Sequence, residues 1–340
     1  MSQPVPATPT DAVVFVVNHE DALSPGKTTT ALVARSAAHH PTFVVGVADL
    51  ALDDDGPRAR VRPVRGHHLE AHGGAPPSVH IDLGPTVDHR LDPTATVLVR
   101  TNPATRMSAP LWAHALRVLE DVERSGASVL NPPAALRTFA TKTGLLRLPA
   151  SIRPTTVVCA RTDTALEAMA RLGRAVVKPV GGSQGAGVFI SGPDDPNRRT
   201  AVELLLQTGP VVVQSWIEGA EQGDVRLFLI DGDPLMLQGV PAAIARVPNG
   251  SELRSNVHLG ATATVHPLTP ELQRVADIAG PVLRAHGVAI AGLDCIGDQV
   301  VEINACAPGG LTDMAHQTGI DAVDAFMRAL DQRRTSGPGR

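Results

Sequence analysis

The chain alternates short, wholly apolar runs with polar or glycine-rich stretches, which predicts strands buried on both faces rather than half-exposed ones. Ala12 to Val17 (AVVFVV) reads as the first such strand, and Asn18 to Gly26 as a polar loop leaving it. Lys27-Thr28-Thr29-Thr30 then opens a helix through Ala38, and Thr42 to Val47 is a second strand. Strand, loop, helix and strand in that order predict a right-handed parallel unit with a binding crevice at its strand ends. Asp53 to Asp92, rich in Pro, Gly, His and Arg, is expected to carry loops and edge strands. Thr96 to Val99 is another buried run, followed by a loop, RTNPATR. From Pro110 a helix places Leu111, Leu116, Leu119 and Val122 inward and closes at Gly126, and Ser128 to Leu130 is a last short strand. These elements predict a doubly wound α/β unit over residues 12–131, preceded by a disordered lead-in, residues 1–11.

Asn131 has the chemistry of a helix N-cap, with Pro132 at the first helical position and Lys142 reached before Gly144. A strand at Thr155 to Cys159, a helix capped by Asp163 and running to Leu172, and a strand at Ala175 to Pro179 suggest a smaller second unit, residues 132–212. The third unit, residues 213–330, starts around Val211 to Gln214 and Asp224 to Ile230, both read as strands. Ala243 to Ala261 is read as a polar loop, and Thr269 to His286 as a helix carrying Pro281. Two strand-like runs, Ala289 to Leu293 and Gln299 to Ile303, meet at a turn with Gly297 and Asp298. A helix from Asp321 to Leu330 precedes a frayed tail, residues 331–340.

Composition narrows the class. At 340 residues, with 43% hydrophobic and 19% charged residues, the chain reads as globular, and no apolar run is long enough to span a bilayer. The N-terminus lacks the basic region and apolar core of a secretory signal. A net charge of −4 gives no basic footprint for nucleic acid. Cys159, Cys295 and Cys306 are unpatterned, which fits a reducing cytoplasm, and the histidine pairs His39-His40 and His67-His68 have no partners at ligand spacing. Only Lys27, Lys142 and Lys178 of the 30 basic residues are lysines, so each is a candidate point charge for a phosphate in a chain otherwise built with arginine.

Two stretches carry the candidate chemistry. In Val176 to Ile190, VVKPVGGSQGAGVFI, a strand delivers Lys178 to a loop containing Gly181, Gly182, Ser183, Gln184, Gly185 and Gly187. Glycines let main-chain N–H groups approach phosphate oxygens, and the loop departs from the GxxxxGK[ST] phosphate loop, which would lead into a helix. In Ala289 to Leu311, Asp294 ends one run while Glu302 and Asn304 alternate on one face of the next. Three oxygen ligands about one point suit Mg²⁺, which leaves the rest of its shell to water and nucleotide phosphates. The plain alternative is a solvated hairpin with surface carboxylates. Near Trp216 and Ile217, strand pairing is expected to expose main-chain groups that could hold an adenine ring, and Arg246, Arg254 and Asn256 lie on the stretch read as a closing loop.

These parts together resemble the ATP-grasp ligases, and DVRLFLIDGDP, ARVPNGSELRSN and GLDCIGDQVVEINACAPGG are similar to the bacterial glutathione synthetase family. The resemblance implies an ATP-grasp fold behind an N-terminal doubly wound domain. It implies Lys142 and Lys178 on the ATP phosphates, Gly182, Ser183, Gln184 and Gly185 as their lid, Gln214, Ser215, Trp216 and Ile217 at the adenine, and Asp224 at the ribose. Asp294, Glu302 and Asn304 would carry Mg²⁺, or Mn²⁺ in its place. Arg226, Arg246, Arg254 and Asn256 would face the triphosphate and an acylphosphate, and Asn18, Lys27, Thr28, Thr29, Pro308, Gly309 and Gly310 the acyl substrate. The implied activity is ADP-forming carboxylate–amine ligation of small molecules by a cytoplasmic dimer or tetramer. Ligation to a protein terminus and a non-catalytic ATP-binding regulator are the alternatives. ACAPGGL after Asn304 and Thr101-Asn102-Pro103 depart from the family pattern, so the acyl donor need not be the one used in glutathione synthesis.

Overall fold

The computed structural model describes residues 7–19, 23–72, 75–104, 107–182, 185–248 and 262–336. Its first sheet is centred on Val13–Val17 (β1), all five residues of which are buried. After α1 (Thr28–Ala37) comes β2 (Thr42–Gly46), and both β2 and a later strand pair in parallel with β1. The region between them, expected to hold loops and edge strands, builds Leu50–Asp53 (β3) at the sheet's edge, Gly56–His72 (β4), Ala75–Leu83 (β5) and Val87–Arg90 (β6). β4 is 17 residues long, and it pairs antiparallel with β2, β3, β5 and β6. The parallel core closes with Thr96–Val99 (β7), α2 (Ala109–Arg124) and Ser128–Leu130 (β8), in the order β3-β4-β2-β1-β7-β8. Alternate β1 residues face opposite cores: Val13, Phe15 and Val17 meet Leu32 and Val33 of α1, whereas Val14 and Val16 meet Leu116 and Leu119 of α2. A helix on each face makes this the expected doubly wound unit.

Asn131 is not the helix cap its chemistry suggested. Pro132 takes that position, and α3 spans Pro133–Phe139, ending before Lys142, which opens a separate short 3₁₀ turn, Lys142–Arg147. The Asn131 side chain is buried instead against two later strands. Its amide nitrogen donates to the carbonyls of Ile290 and Ala305 at 2.7 and 2.6 Å, and its oxygen accepts from the N–H groups of Ala289 and Ile290 at 2.8 Å each.

The second sheet, β11-β10-β12-β9, is antiparallel throughout. Thr156–Cys159 (β9), α4 (Thr162–Leu172), Ala175–Pro179 (β10), Phe189–Ser191 (β11), α5 (Arg198–Leu206) and Val211–Ser215 (β12) build it. Arg161, rather than Asp163, holds the N-cap of α4. Ala165, Ala168, Met169 and Val202 of the helices cover Val177, Val211 and Val213 of the strands.

Asp224–Ile230 (β13) starts the third sheet and pairs with Asp233–Pro234 (β14), while Met236–Leu237 (β15) and Val240–Pro241 (β16) form a small ribbon. Ala243–Val247 (β17) is a strand and not part of a loop, because its alanines and Ile244 pair with β13; the rest of the expected loop, residues 249–261, lies outside the described residues. Thr262–Val265 (β18), α6 (Pro270–Ala285, capped by Thr269), Ile290–Ile296 (β19) and Gln299–Asn304 (β20) follow. The sheet order is β18-β17-β13-β19-β20. One face buries Leu227, Leu229 and Leu293 against α6 and against Ala135 and Phe139 of α3, so α3 packs here rather than on the second sheet. The other face buries Phe228 and Ile244 with α7 (Leu311–Thr318), α8 (Ala322–Ser336) and the α1 side of the first unit. α8 continues past Leu330 through most of the stretch expected as a tail. No helix among the described residues is long and apolar enough to cross a membrane.

Candidate active site

The second and third sheets enclose a cleft of about 160 Å³ lined by Lys142, Lys178, Gly182, Gly185, Trp216, Asp224 and Glu302. β10 delivers Lys178 to its floor, where Nζ lies 3.5 Å from the Val301 carbonyl. Burial pushes this ammonium down to about 8, against the opposing pull of Glu302. The Lys142 ammonium donates to the Gly182 carbonyl, which puts both lysines at the root of the glycine loop. Glycine is required there: Gly185 and Gly187 have φ of +72° and +70°, and a Cβ on Gly182 would stand 2.5 Å from Pro179 Cγ. Ser183 and Gln184 lie outside the described residues.

The far wall is the chain leaving β12. Gln214 is buried, its amide donating to Thr156 Oγ1 at 3.2 Å, and Ser215 N–H bonds the Thr155 carbonyl. The main chain at Trp216 is less open than the sequence suggested, because its N–H donates to the Arg174 carbonyl at 3.0 Å and the Ile217 carbonyl accepts from Ala220. The Trp216 carbonyl and the Ile217 N–H have no backbone partner among the described residues. Arg174 stacks 3.8 Å from the Trp216 ring centroid.

Four charged groups form a network where β13, β17 and β19 run side by side. Register places Arg226 opposite Asp294 and Asp224 opposite Arg246. The Arg226 guanidinium grips both Asp294 oxygens, at 2.7 Å each, while Arg246 bridges Asp294 at 2.8 Å and Asp224 at 2.6 Å. Burial disfavours charge on Asp294, but Arg226 and Arg246 outweigh it and hold the carboxyl well below the usual range. Burial also opposes the Arg246 charge, and Asp294 and Asp224 outweigh it in turn. Glu302 is the direct cross-strand neighbour of Asp294, and Asn304 donates to Asp294 Oδ2 at 3.1 Å. Two carboxylates and an amide oxygen on adjacent strands are hard donors that fit Mg²⁺. The Glu302 side chain makes no hydrogen bond or ion pair within 4 Å among the described residues, although its charge offsets the burial of Lys178. Arg254 and Asn256 lie outside the described residues.

A second cavity shares Lys142, Gly182 and Glu302 with the first and runs to Asn102 and Cys306. None of the residues expected to hold the acyl substrate lines it, and Asn18 reaches its wall through Asn102. Asn18 and Asn102 bond reciprocally across the tips of β1 and β7, at 2.8 and 2.7 Å. Thr28 Oγ1 accepts from Gly310 N–H at 3.1 Å, and Arg226 donates to the Gly309 carbonyl at 3.3 Å. Lys27 is exposed at the N-cap of α1. Sequence reading passed over Arg100, which is 6% exposed and donates to Thr29 Oγ1 at 3.3 Å and to the Pro308 carbonyl at 2.9 Å. Burial pushes its guanidinium down to about 10. The available signal was a cation placed directly at the end of an all-apolar strand.

Two sheets closing on a lysine-lined cleft, with a carboxylate pair at its edge, make this an ATP-grasp enzyme. Solved structures agree on the fold: a D-cycloserine synthetase superposes with a TM-score of 0.63 at 18% identity over 95% of this chain and 99% of that one. The D-alanyl-alanine synthetase A of Vibrio cholerae does so at 0.56 and 11% identity, over 96% and 99%. Residues 141–319 match the prokaryotic glutathione synthetase ATP-grasp domain, and residues 12–137 match the N-terminal domain of the same enzymes. Among curated relatives, the glutathione synthetase of Nitrosomonas europaea is 29% identical over 94% of this chain and 97% of its own. That of Ralstonia nicotianae is 33% identical over 72% and 74%. The chain belongs to the prokaryotic glutathione synthetase family, and it is an ATP- and Mg²⁺-dependent, ADP-forming carboxylate–amine ligase.

Proposed function

We propose that this ligase activates an acyl donor of the γ-glutamyl or amino-acyl type and joins it to a small amine or amino acid. The observation that carries the reading is the meeting of the two cavities at Lys142, Gly182 and Glu302, so that a nucleotide in one presents its terminal phosphate to a carboxylate in the other. The Trp216 carbonyl and Ile217 N–H suit the donor and acceptor edge of adenine, with Gln214 and Ser215 behind them and Asp224 near the ribose. Lys142 and Lys178 neutralise the phosphates at the root of the glycine loop, where Gly182 and Gly185 line the cleft. Asp294, Glu302 and Asn304 hold Mg²⁺, which when bound spreads the charge of the in-line transfer.

A donor carboxylate oxygen attacks the γ-phosphorus and ADP leaves. The amine then attacks the acylphosphate carbonyl, expelling phosphate and losing a proton. Arg226 and Arg246 stand beside this path, and Arg254 and Asn256 belong to the segment expected to close over it. The bond of Asn18 to Asn102, and those of Thr28 to Gly310 and of Arg100 to Thr29 and Pro308, support a donor end on this side of the second cavity, with Lys27 exposed at the start of α1. The unpaired thiols of Cys159, Cys295 and Cys306 support a reducing, cytoplasmic setting. ADP release should be measured across γ-glutamyl dipeptides, free glutamate and other carboxylates, each with glycine or small amino acids. A pair that raises turnover and yields the condensed mass establishes the substrates. Tight ATP binding without turnover for any pair refutes small-molecule ligation.

A further inference from the structure

We infer that Arg246 holds Asp294 only until nucleotide arrives and then exchanges that carboxylate for the nucleotide phosphates, so that this site admits the metal with the nucleotide and not before it. This rests on the reading that Asp294, Glu302 and Asn304 hold Mg²⁺. Asp294 is buried, and its oxygens are already taken. Oδ1 accepts from Arg226 Nε at 2.7 Å, and Oδ2 accepts from Arg226 Nη2 at 2.7 Å, Arg246 Nη2 at 2.8 Å and Asn304 Nδ2 at 3.1 Å. Three donors on Oδ2 leave it no free lone pair. A divalent cation on that oxygen would also lie against two guanidinium groups, so one of them has to leave before Asp294 can ligate. Glu302, directly across the strand pair, has no such bond to give up among the described residues.

The bonding decides which guanidinium leaves. Arg226 grips both Asp294 oxygens, lies opposite it in the strand register and donates to the Gly309 carbonyl at 3.3 Å. Arg246 touches Asp294 through one nitrogen. Its own counter-charge is Asp224, whose Oδ1 accepts from Nε at 2.7 Å and lies 2.6 Å from Nη2. Leaving Asp294 therefore costs Arg246 one contact and not its counter-charge. Pairing of β17 with β13 pins the Arg246 main chain opposite Asp224. The exchange is then a side-chain rotation pivoting on Asp224, which lines the nucleotide cleft. Charge sets the order of entry. Across the cleft and its edge, Lys142, Lys178, Arg226 and Arg246 outnumber the carboxylates of Asp224, Asp294 and Glu302. That balance repels a free divalent cation and draws in a nucleotide anion carrying one.

The test titrates nucleotide-free protein with Mn²⁺, followed by electron paramagnetic resonance. Arg246→Met should raise Mn²⁺ affinity at least about tenfold over wild type, since it releases Asp294 Oδ2. Lys142→Gln removes a cation lining the same cleft without touching Asp294, and should gain no more than about threefold. Equal gains in the two variants, or none in Arg246→Met, overturn the inference. A crystal structure of the wild-type protein with Mg²⁺ and a non-hydrolysable ATP analogue reads the exchange directly and does not depend on a variant folding. Arg246 should then bond a phosphate oxygen and Asp224, with Arg226 still on Asp294. Arg246 still bonded to Asp294 beside a bound metal overturns the inference, as does the departure of Arg226 in its place. Glu302→Gln separates this from the metal reading. If that variant, with the analogue present, binds Mn²⁺ as wild type does, the metal assignment fails and the exchange with it. Weakened binding in Glu302→Gln without a gain in Arg246→Met sinks the exchange alone.

Discussion

Replacing Asn131 by Ala should be among the most damaging polar substitutions outside the cleft. The side chain closes four hydrogen bonds, all buried, to main-chain groups of Ala289, Ile290 and Ala305. These groups cannot pair with one another, since the two N–H donors and two carbonyls sit where the amide held them apart. At about 1 kcal/mol per lost bond the full cost is about 4 kcal/mol, and a water entering the vacated space could recover about half. The expected loss is therefore about 2–4 kcal/mol, read as a lower urea midpoint by circular dichroism with the slope unchanged. Asn131→Asp sharpens the test. It keeps both acceptor bonds but turns a carboxylate oxygen toward two carbonyls, so its buried carboxyl should titrate above its unfolded value. That variant is then least unstable in acid and loses stability as pH rises through the folded pKa. A cost below about 1 kcal/mol for Asn131→Ala, or an Asp variant insensitive to pH, would refute the account. Because Ala305 follows Asn304, the Ala variant should also lose Mg²⁺-dependent turnover.

Glu302→Gln should change the unfolding free energy by no more than about 1 kcal/mol, since the Glu302 side chain makes no hydrogen bond or ion pair among the described residues, while ADP release falls at least about a hundredfold. Full activity in that variant would remove Glu302 from the metal set. Gly223→Ala combines a φ of +102° with a Cβ that would overlap the Arg246 carbonyl oxygen, so it should cost at least about 2 kcal/mol and weaken Mg·ATP binding by moving Arg246. Gly209→Ala is the control for backbone strain alone: φ is +136°, nothing stands within 4 Å of the added carbon, and a cost of about 1 kcal/mol is expected. Equal losses in the two glycine variants, measured by urea unfolding, would show that the Arg246 contact does not matter.

What could be read along the chain was whatever depends on residue type at short range. β1 and β7 are apolar runs bounded by polar residues, and they fold as strands because burial on both faces leaves them few other uses. Lys178, the glycine loop and the Asp294, Glu302, Asn304 set could be singled out because a phosphate or a hard cation restricts which side chains can serve, and folding brings Lys178 and Glu302 to one cleft. β4 was not legible, because its prolines and arginines disfavour a strand locally, and pairing with β2, β3, β5 and β6 overrides that preference. Arg246 was assigned to a loop for the same reason, since its strand exists by virtue of β13. Asn131 and Arg100 were missed for a different cause. Asn131 looks like a cap because Pro132 follows it, yet its partners are 158 to 174 positions away. Arg100 reads as an ordinary loop cation until Pro308, 208 positions on, is seen to accept from it.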